Sequence, residues 1–183
     1  MKKTLLVLCT LLLASCIDVM DFGAYWAQGT VDPKLAGMWI PVAVPGTDIS
    51  KSSKQHIVVK DDSYSITNFE NGIEKIDAPL KARLLKIGAY DFLMVGGPTE
   101  GALYRYKQVN DVVQFFDINK IAAHKLVVTK YPNAKNIDVS GGTSGYSTTF
   151  SIKTLDEEAV KILADIPDDE AYWKIDSAYK REP

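Results

Sequence analysis

The sequence predicts a mainly β domain, an antiparallel sheet of about eight strands with two packing α-helices. Three observations predict it. Short segments rich in Val, Ile, Tyr and Phe follow one another, separated by turn-forming residues. Several of the connections span only two or three residues, which forces antiparallel hairpins. Two segments late in the chain change to helical spacing.

The predicted strands cover residues 38–44, 55–60, 63–69, 79–87, 90–95, 102–109, 112–118 and 146–153. Pro45-Gly46, Asp61-Asp62, Asn71-Gly72, Gly88-Ala89, Gly96-Gly97-Pro98 and Asn110-Asp111 separate them. Each of these pairs or triplets supplies a fixed φ, a tolerated positive φ or a side chain that bonds its own backbone. Alternation puts Tyr64 with Ile66, Phe92 with Met94 and Tyr104 with Tyr106 on one face of their strands.

Residues 119–131 carry Ile121, Ala122, Leu126 and Val127 near helical spacing, stopped by Pro132. Residues 155–166 show a capping box, Thr154 with Glu157, ahead of an apolar stripe of Ala159, Val160, Leu163 and Ile166. Between these helices, residues 132–145 form a polar loop.

The first sixteen residues read as a leader. Lys2 and Lys3 form a positive start, and residues 4–13 form an apolar run. That run is too short for a bilayer, which needs about 20 apolar residues, but suits a signal peptide. Leu13-Ala14-Ser15-Cys16 then resembles the lipobox of bacterial lipoproteins. The resemblance implies cleavage before Cys16, a diacylglycerol on its thiol, and a permanent membrane anchor. Ile17 rather than Asp after the cysteine implies the outer membrane, with the domain facing the periplasm. The chain has two cysteines, Cys9 and Cys16, so cleavage leaves Cys16 alone and no internal disulfide can form. The organisation expected is a signal peptide over 1–15, a lipidated cysteine and tether over 16–32, and one domain over 33–183. Within the tether, Phe22, Tyr25 and Trp26 are expected to dock on the domain or lie at the membrane interface.

Hydrophobic residues make up 46% of the 183-residue chain and charged residues 24%, an ordinary globular balance. The net charge of −2 offers no basic face to nucleic acid.

Leu35-Ala36-Gly37-Met38-Trp39 resembles the Gly-x-Trp opening of the lipocalin-like (calycin) barrels. The order of elements over residues 33–183 also resembles a family of bacterial lipoproteins of uncharacterised activity. Its shared features are the Leu-x-Gly-x-Trp opening, a stretch like 84–94, a Tyr104-Arg105-Tyr106 strand and a strand-to-helix end like 150–163. The resemblance implies a lipocalin-like barrel or half-barrel in the cell envelope. Two features depart from true lipocalins. There is no Thr-Asp-Tyr motif, and no arginine lies in the last predicted strand to stack on Trp39, since Arg83 and Arg105 come earlier.

Chemistry-bearing motifs are sparse. His56 and His124 lie on different elements and find no cysteine partner for zinc. Gly142-Thr143-Ser144-Gly145 lacks the lysine of a phosphate loop, and Asp168-Asp169-Glu170 does not match the spacing of a calcium loop. No catalytic residue, metal ligand or cofactor is expected. The remaining candidates are Cys16 for lipid attachment and an aromatic set, Tyr64, Phe92, Met94, Tyr104 and Tyr106, that lines either a filled core or an apolar pocket. The function expected is a non-enzymatic envelope module, interaction or structural, that meets other envelope proteins or surface material. The alternative is a carrier or sensor of a small apolar ligand.

Overall fold

A computed structural model describes residues 16–45, 49, 53–70, 73–74, 79–138 and 150–183. Eight strands close into an antiparallel barrel. They are β2 (Gly37–Pro41), β3 (Lys54–Lys60), β4 (Ser63–Glu70), β6 (Leu80–Ile87), β7 (Tyr90–Gly97), β8 (Glu100–Val109), β9 (Val112–Ile118) and β12 (Trp173–Arg181). The order around the wall is β8, β7, β6, β4, β3, β2, β12, β9, and β9 returns to β8. A short β5 (Ile73–Glu74) pairs antiparallel with the end of β4. The lipocalin-like barrel expected from the sequence is therefore present, and the half-open alternative is not.

The hairpins form where the turn chemistry predicts them. Asp61 and Asn110 each take a φ of 57° and Gly88 a φ of 59°, backbone conformations that Asp, Asn and Gly tolerate best. The closing strand differs from expectation. Of the strand expected over 146–153, residues 146–149 lie outside the described set, and the rest supplies only β11 (Ser151–Ile152), which sits outside the barrel. The barrel is sealed instead by β12, which pairs with β9 on one side and β2 on the other.

The helices also shift. α2 (Lys120–Lys130) is capped by the Asn119 side chain, which accepts from Ala122 N at 3.2 Å. α3 (Glu157–Ala164) is capped by Asp156, whose Oδ1 accepts from Ala159 N at 2.9 Å. The Thr154–Glu157 capping box therefore does not form: the helix starts later, and Glu157 is its first residue.

The segment expected as a tether is part of the fold. Residues Ile17–Val19 form β1, antiparallel to β8 and parallel to β11, and β10 (Ile137–Asp138) pairs on the far side of β11. Residues Ala24–Gln28 form a short helix, α1. Arg83 reaches from β6 to hold it, with Nη1 donating to Trp26 O at 2.7 Å and Nη2 to Asp62 Oδ2 at 2.7 Å. Thr30 and Leu84 exchange backbone hydrogen bonds of 2.9 and 2.7 Å. Phe22 is fully buried, and Tyr25 and Trp26 pack around the same core. The docking expected for these rings is present, and with it the slack of a tether disappears.

Two apolar cores result. One fills the barrel: Leu35, Trp39, Tyr64, Ile66, Ala82, Leu93, Val95, Tyr104, Val113 and Tyr179. The other lies outside the wall of β6, β7, β8 and β1, beneath α2 and α3. It holds Ile17, Phe22, Phe92, Met94, Leu103, Leu163 and Trp173 among others.

Candidate functional site at the split in the barrel wall

The five aromatic and Met candidates do not share a face. Tyr64, Tyr104 and Tyr106 point into the barrel. Phe92 and Met94 are fully buried on the opposite side, in the outer core. Their neighbours Leu93 and Val95 take the inward positions on β7, and Leu93 lies directly across from Tyr104. A period of two obliges this: if Leu93 faces in, Phe92 and Met94 face out.

The interior is filled by large side chains. A cavity of about 30 Å³ remains among Leu35, Trp39, Tyr64, Tyr106, Phe115 and Tyr179, and a neighbouring one of about 30 Å³ lies by Leu80, Val95, Tyr104 and Ser177. Each has room for a water or two, given that one water needs roughly 10–15 Å³. At one end Trp39 is 3% exposed, and its Nε1 donates to Leu35 O at 2.9 Å. The Tyr64 hydroxyl donates to Asp32 O at 2.9 Å and also accepts from the Asp32 backbone N. Burial pushes this phenol up to about 12 and raises Tyr106 as well, with the Asp91 carboxylate adding to the latter.

β8 changes partner partway along its length. From Arg105 to Val109 it pairs with β9, and from Leu103 back to Gly101 it pairs with β1. The change falls at Tyr104. β9 and β1 therefore diverge there, and the wall splits. Cys16, one residue before β1, sits in that split. It is 4% exposed, packs with the barrel core and meets the Tyr104 hydroxyl. Its Sγ lies 3.7 Å from Asp18 Oδ1. Burial, with Asp18 assisting, pushes the thiol up to about 11, so it is neutral and unreactive at pH 7 in this position.

Near the same split, burial pushes the Asp117 carboxyl up to about 6, against the pull of Lys120, and its Oδ1 is buried without a hydrogen-bond partner. Sequence reasoning missed Asp117, since a lone carboxylate on a strand carries no motif.

Sequence reasoning also missed Arg181. It lies in the last barrel strand, opposite Trp39, and its Nη2 donates to Ala36 O at 2.8 Å. The strand that closes the barrel thus does carry an arginine across from Trp39, held by the Ala36 carbonyl. Gly37 is required beside it: its φ is 134°, and a Cβ there would come within 3.0 Å of the Arg181 Nε.

Arg105 belongs to the outer core. Its guanidinium lies 4.4 Å from the ring centre of Tyr90, 4.7 Å from Trp173 and 5.0 Å from Phe116, and it pairs with Asp168. The acidic turn 168–170 thus has a structural anchor for its first carboxylate. The His56 and Phe69 rings lie tilted to each other with centres 6.5 Å apart, and His124 is on α2, distant in sequence and element. Among the described residues no three His, Cys, Asp or Glu side chains converge as a metal site, and no helix is long and apolar enough to cross a membrane. Comparison with family models, curated proteins and solved structures finds no match to this chain.

Proposed function

We propose that the protein is a lipid-anchored component of the bacterial cell envelope, attached through Cys16, whose barrel serves as a non-enzymatic interaction or structural module. The observation that carries the module reading is the filling of the barrel. Trp39, Tyr64, Tyr106, Phe115 and Tyr179 leave about 30 Å³ between them. A dry site able to take even benzene needs about 150 Å³. The interior then acts as a core, and the surface does the work.

The anchor reading rests on the Leu13–Cys16 motif behind an apolar run. It gives the Cys16 thiol a use that its folded surroundings do not. A neutral, covered thiol is a poor nucleophile and its covered site beside Tyr104 has no room for acyl chains, so Cys16 carries the diacylglycerol only when it stands outside that site. By resemblance, Ile17 after the cysteine favours the outer membrane, with the barrel in the periplasm and other envelope proteins as its partners.

Native mass spectrometry of the full chain, extracted in detergent from its host's membranes, tests both halves. The expected mass is that of residues 16–183 plus diacylglycerol and any further acyl group, with no retained small molecule. An apolar ligand surviving extraction overturns the module in favour of a carrier. An unmodified Cys16 overturns the anchor.

A further inference from the structure

Arg105 stands where the outer core calls for an apolar residue. On β8 it lies directly between Phe92 of β7 and Phe116 of β9, and all three point away from the barrel interior. Its side chain is 4% exposed and is enclosed by the rings of Tyr90, Trp173 and Phe116. A buried charge is costly unless it is paired and its donors are used. Arg105 meets half of that condition. Nη2 donates to Asp168 Oδ1, while Nη1 is buried without a hydrogen-bond partner. Trp173, whose ring lies against the guanidinium, also buries an indole N–H with no acceptor. Two unused donors therefore sit on two side chains in contact, and both call for an acceptor that the described residues do not supply.

The partner that Arg105 has comes from the surface. Asp168 is 58% exposed and belongs to the short acidic turn between α3 and β12. That turn is pinned at both ends. The Tyr90 hydroxyl donates to Ile166 O at 2.5 Å, and the Asp169 carbonyl accepts from Tyr172 N at 3.1 Å and from Trp173 N at 3.0 Å. From this position Asp168 places one oxygen on one nitrogen. A guanidinium and a carboxylate fit best as a fork, with two parallel bonds. The turn thus fills the site incompletely, with a side chain that is itself mostly in solvent.

We propose that Arg105 and Trp173 form a carboxylate-binding site, which Asp168 holds in the free protein and yields to an incoming carboxylate. The fork of Arg105 takes both oxygens, and the Trp173 indole supplies a further donor. The surrounding rings keep water from the guanidinium, which strengthens the pair. Exchange of one carboxylate for another leaves no buried charge stranded. Asp168 competes with the ligand, and Asp169 and Glu170 follow it in the chain, so affinity in the parent is low and rises when the Asp168 charge is removed. The site lies in the outer core, so it goes beyond the module reading and stands whatever the barrel interior holds.

The test uses the full chain in detergent, with heavy nitrogen in its three tryptophans. Loss of one indole signal in Trp173→Phe assigns that residue, and the Trp39 indole, bonded to Leu35 O, is the internal reference. Sodium acetate at constant ionic strength should shift the Trp173 indole saturably and leave Trp39 in place. Asp168→Asn should lower the half-saturating concentration several-fold. Arg105→Lys, which keeps the charge and loses the fork, should raise it. A capped Gly-Glu-Gly peptide acting below the acetate concentration assigns the site to a protein side chain, and acetate acting alone assigns it to a free acid; either supports the site. A Trp173 indole that ignores both probes in Asp168→Asn overturns the proposal, and so does an equal response to sodium chloride. An indole proton that exchanges magnetisation with water and ignores acetate also overturns it, since a buried water then fills the place. Collapse of all three indole signals in Asp168→Asn makes the turn a structural lock, and the site falls with it.

Discussion

Trp39 and Arg181 stand opposite each other on β2 and β12, joining the first strand of the barrel to the last. The pair closes the end of the barrel that Leu35 also covers, with Arg181 donating to Ala36 O and Trp39 donating to Leu35 O. Trp39→Ala should destabilise the fold by about 3–5 kcal/mol, the usual cost of emptying a large aromatic site. Urea unfolding measures this. A loss within about 0.5 kcal/mol, the range of ordinary surface changes, would show that the ring is not core.

Phe92 and Leu93 are adjacent but belong to different cores. Phe92→Ala should cost about 3–5 kcal/mol and Leu93→Ala about 2–5 kcal/mol. Neither change should alter uptake of an apolar fluorescent probe at native pH. The informative comparison is between the two. If Leu93→Ala costs less than about 1 kcal/mol and changes probe affinity while Phe92→Ala does not, the barrel interior is a binding cavity, since a filled site loses more.

Asp117 makes stability depend on pH. Its carboxyl is pushed up to about 6, above the ordinary carboxylate range, so between about 4 and 6 the folded chain holds a proton that the unfolded chain has released. The stabilisation from that proton is present at low pH and is lost as pH rises through this window. Asp117→Asn, which keeps the shape and removes the charge, should gain on the parent as pH goes from 4 to 7. Urea midpoints across that range check it, and a constant gap between the two proteins would rule out the titration.

Cys16→Ala should remain unacylated and move from the detergent phase to the aqueous phase on extraction. The fold should survive, because alanine fills most of the small buried site beside Tyr104. Phase partitioning together with circular dichroism separates the two effects. Unchanged partitioning with normal processing would remove the anchor.

The hairpins were legible because their turns announce themselves. Asp61-Asp62, Gly88-Ala89 and Asn110-Asp111 sit between apolar runs, and each first residue adopts a positive φ. The inward face of β7 was not legible. Phe92, Leu93, Met94 and Val95 are all buried, because one side of that strand meets the barrel core and the other meets the helices. With both faces apolar, alternation loses its contrast. β12 was hidden for a different reason. A bulge between Ile175 and Ser177 shifts the pairing, so Trp173 and Ile175 do not continue the pattern of Ser177 and Tyr179. β1 spans three residues and α1 five, both too short for a periodic signal. Only the Ile17, Asp18, Val19 alternation hinted at β1.

Closure by β12 also sets a schedule for the chain's birth. β2 receives one neighbour, β3, from the residues that follow it at once, but its other neighbour is synthesised after every other strand. Until Arg181 has emerged, both β2 and β9 keep an open edge, and the apolar side chains of the interior have no lid. The ring cannot complete itself piecemeal as the chain grows. Loop-closure entropy for so distant a pairing must be overcome in one late step, which makes folding slow and leaves the unfinished chain prone to mispairing. A ribosome that stops before β12 releases a sheet with two sticky margins.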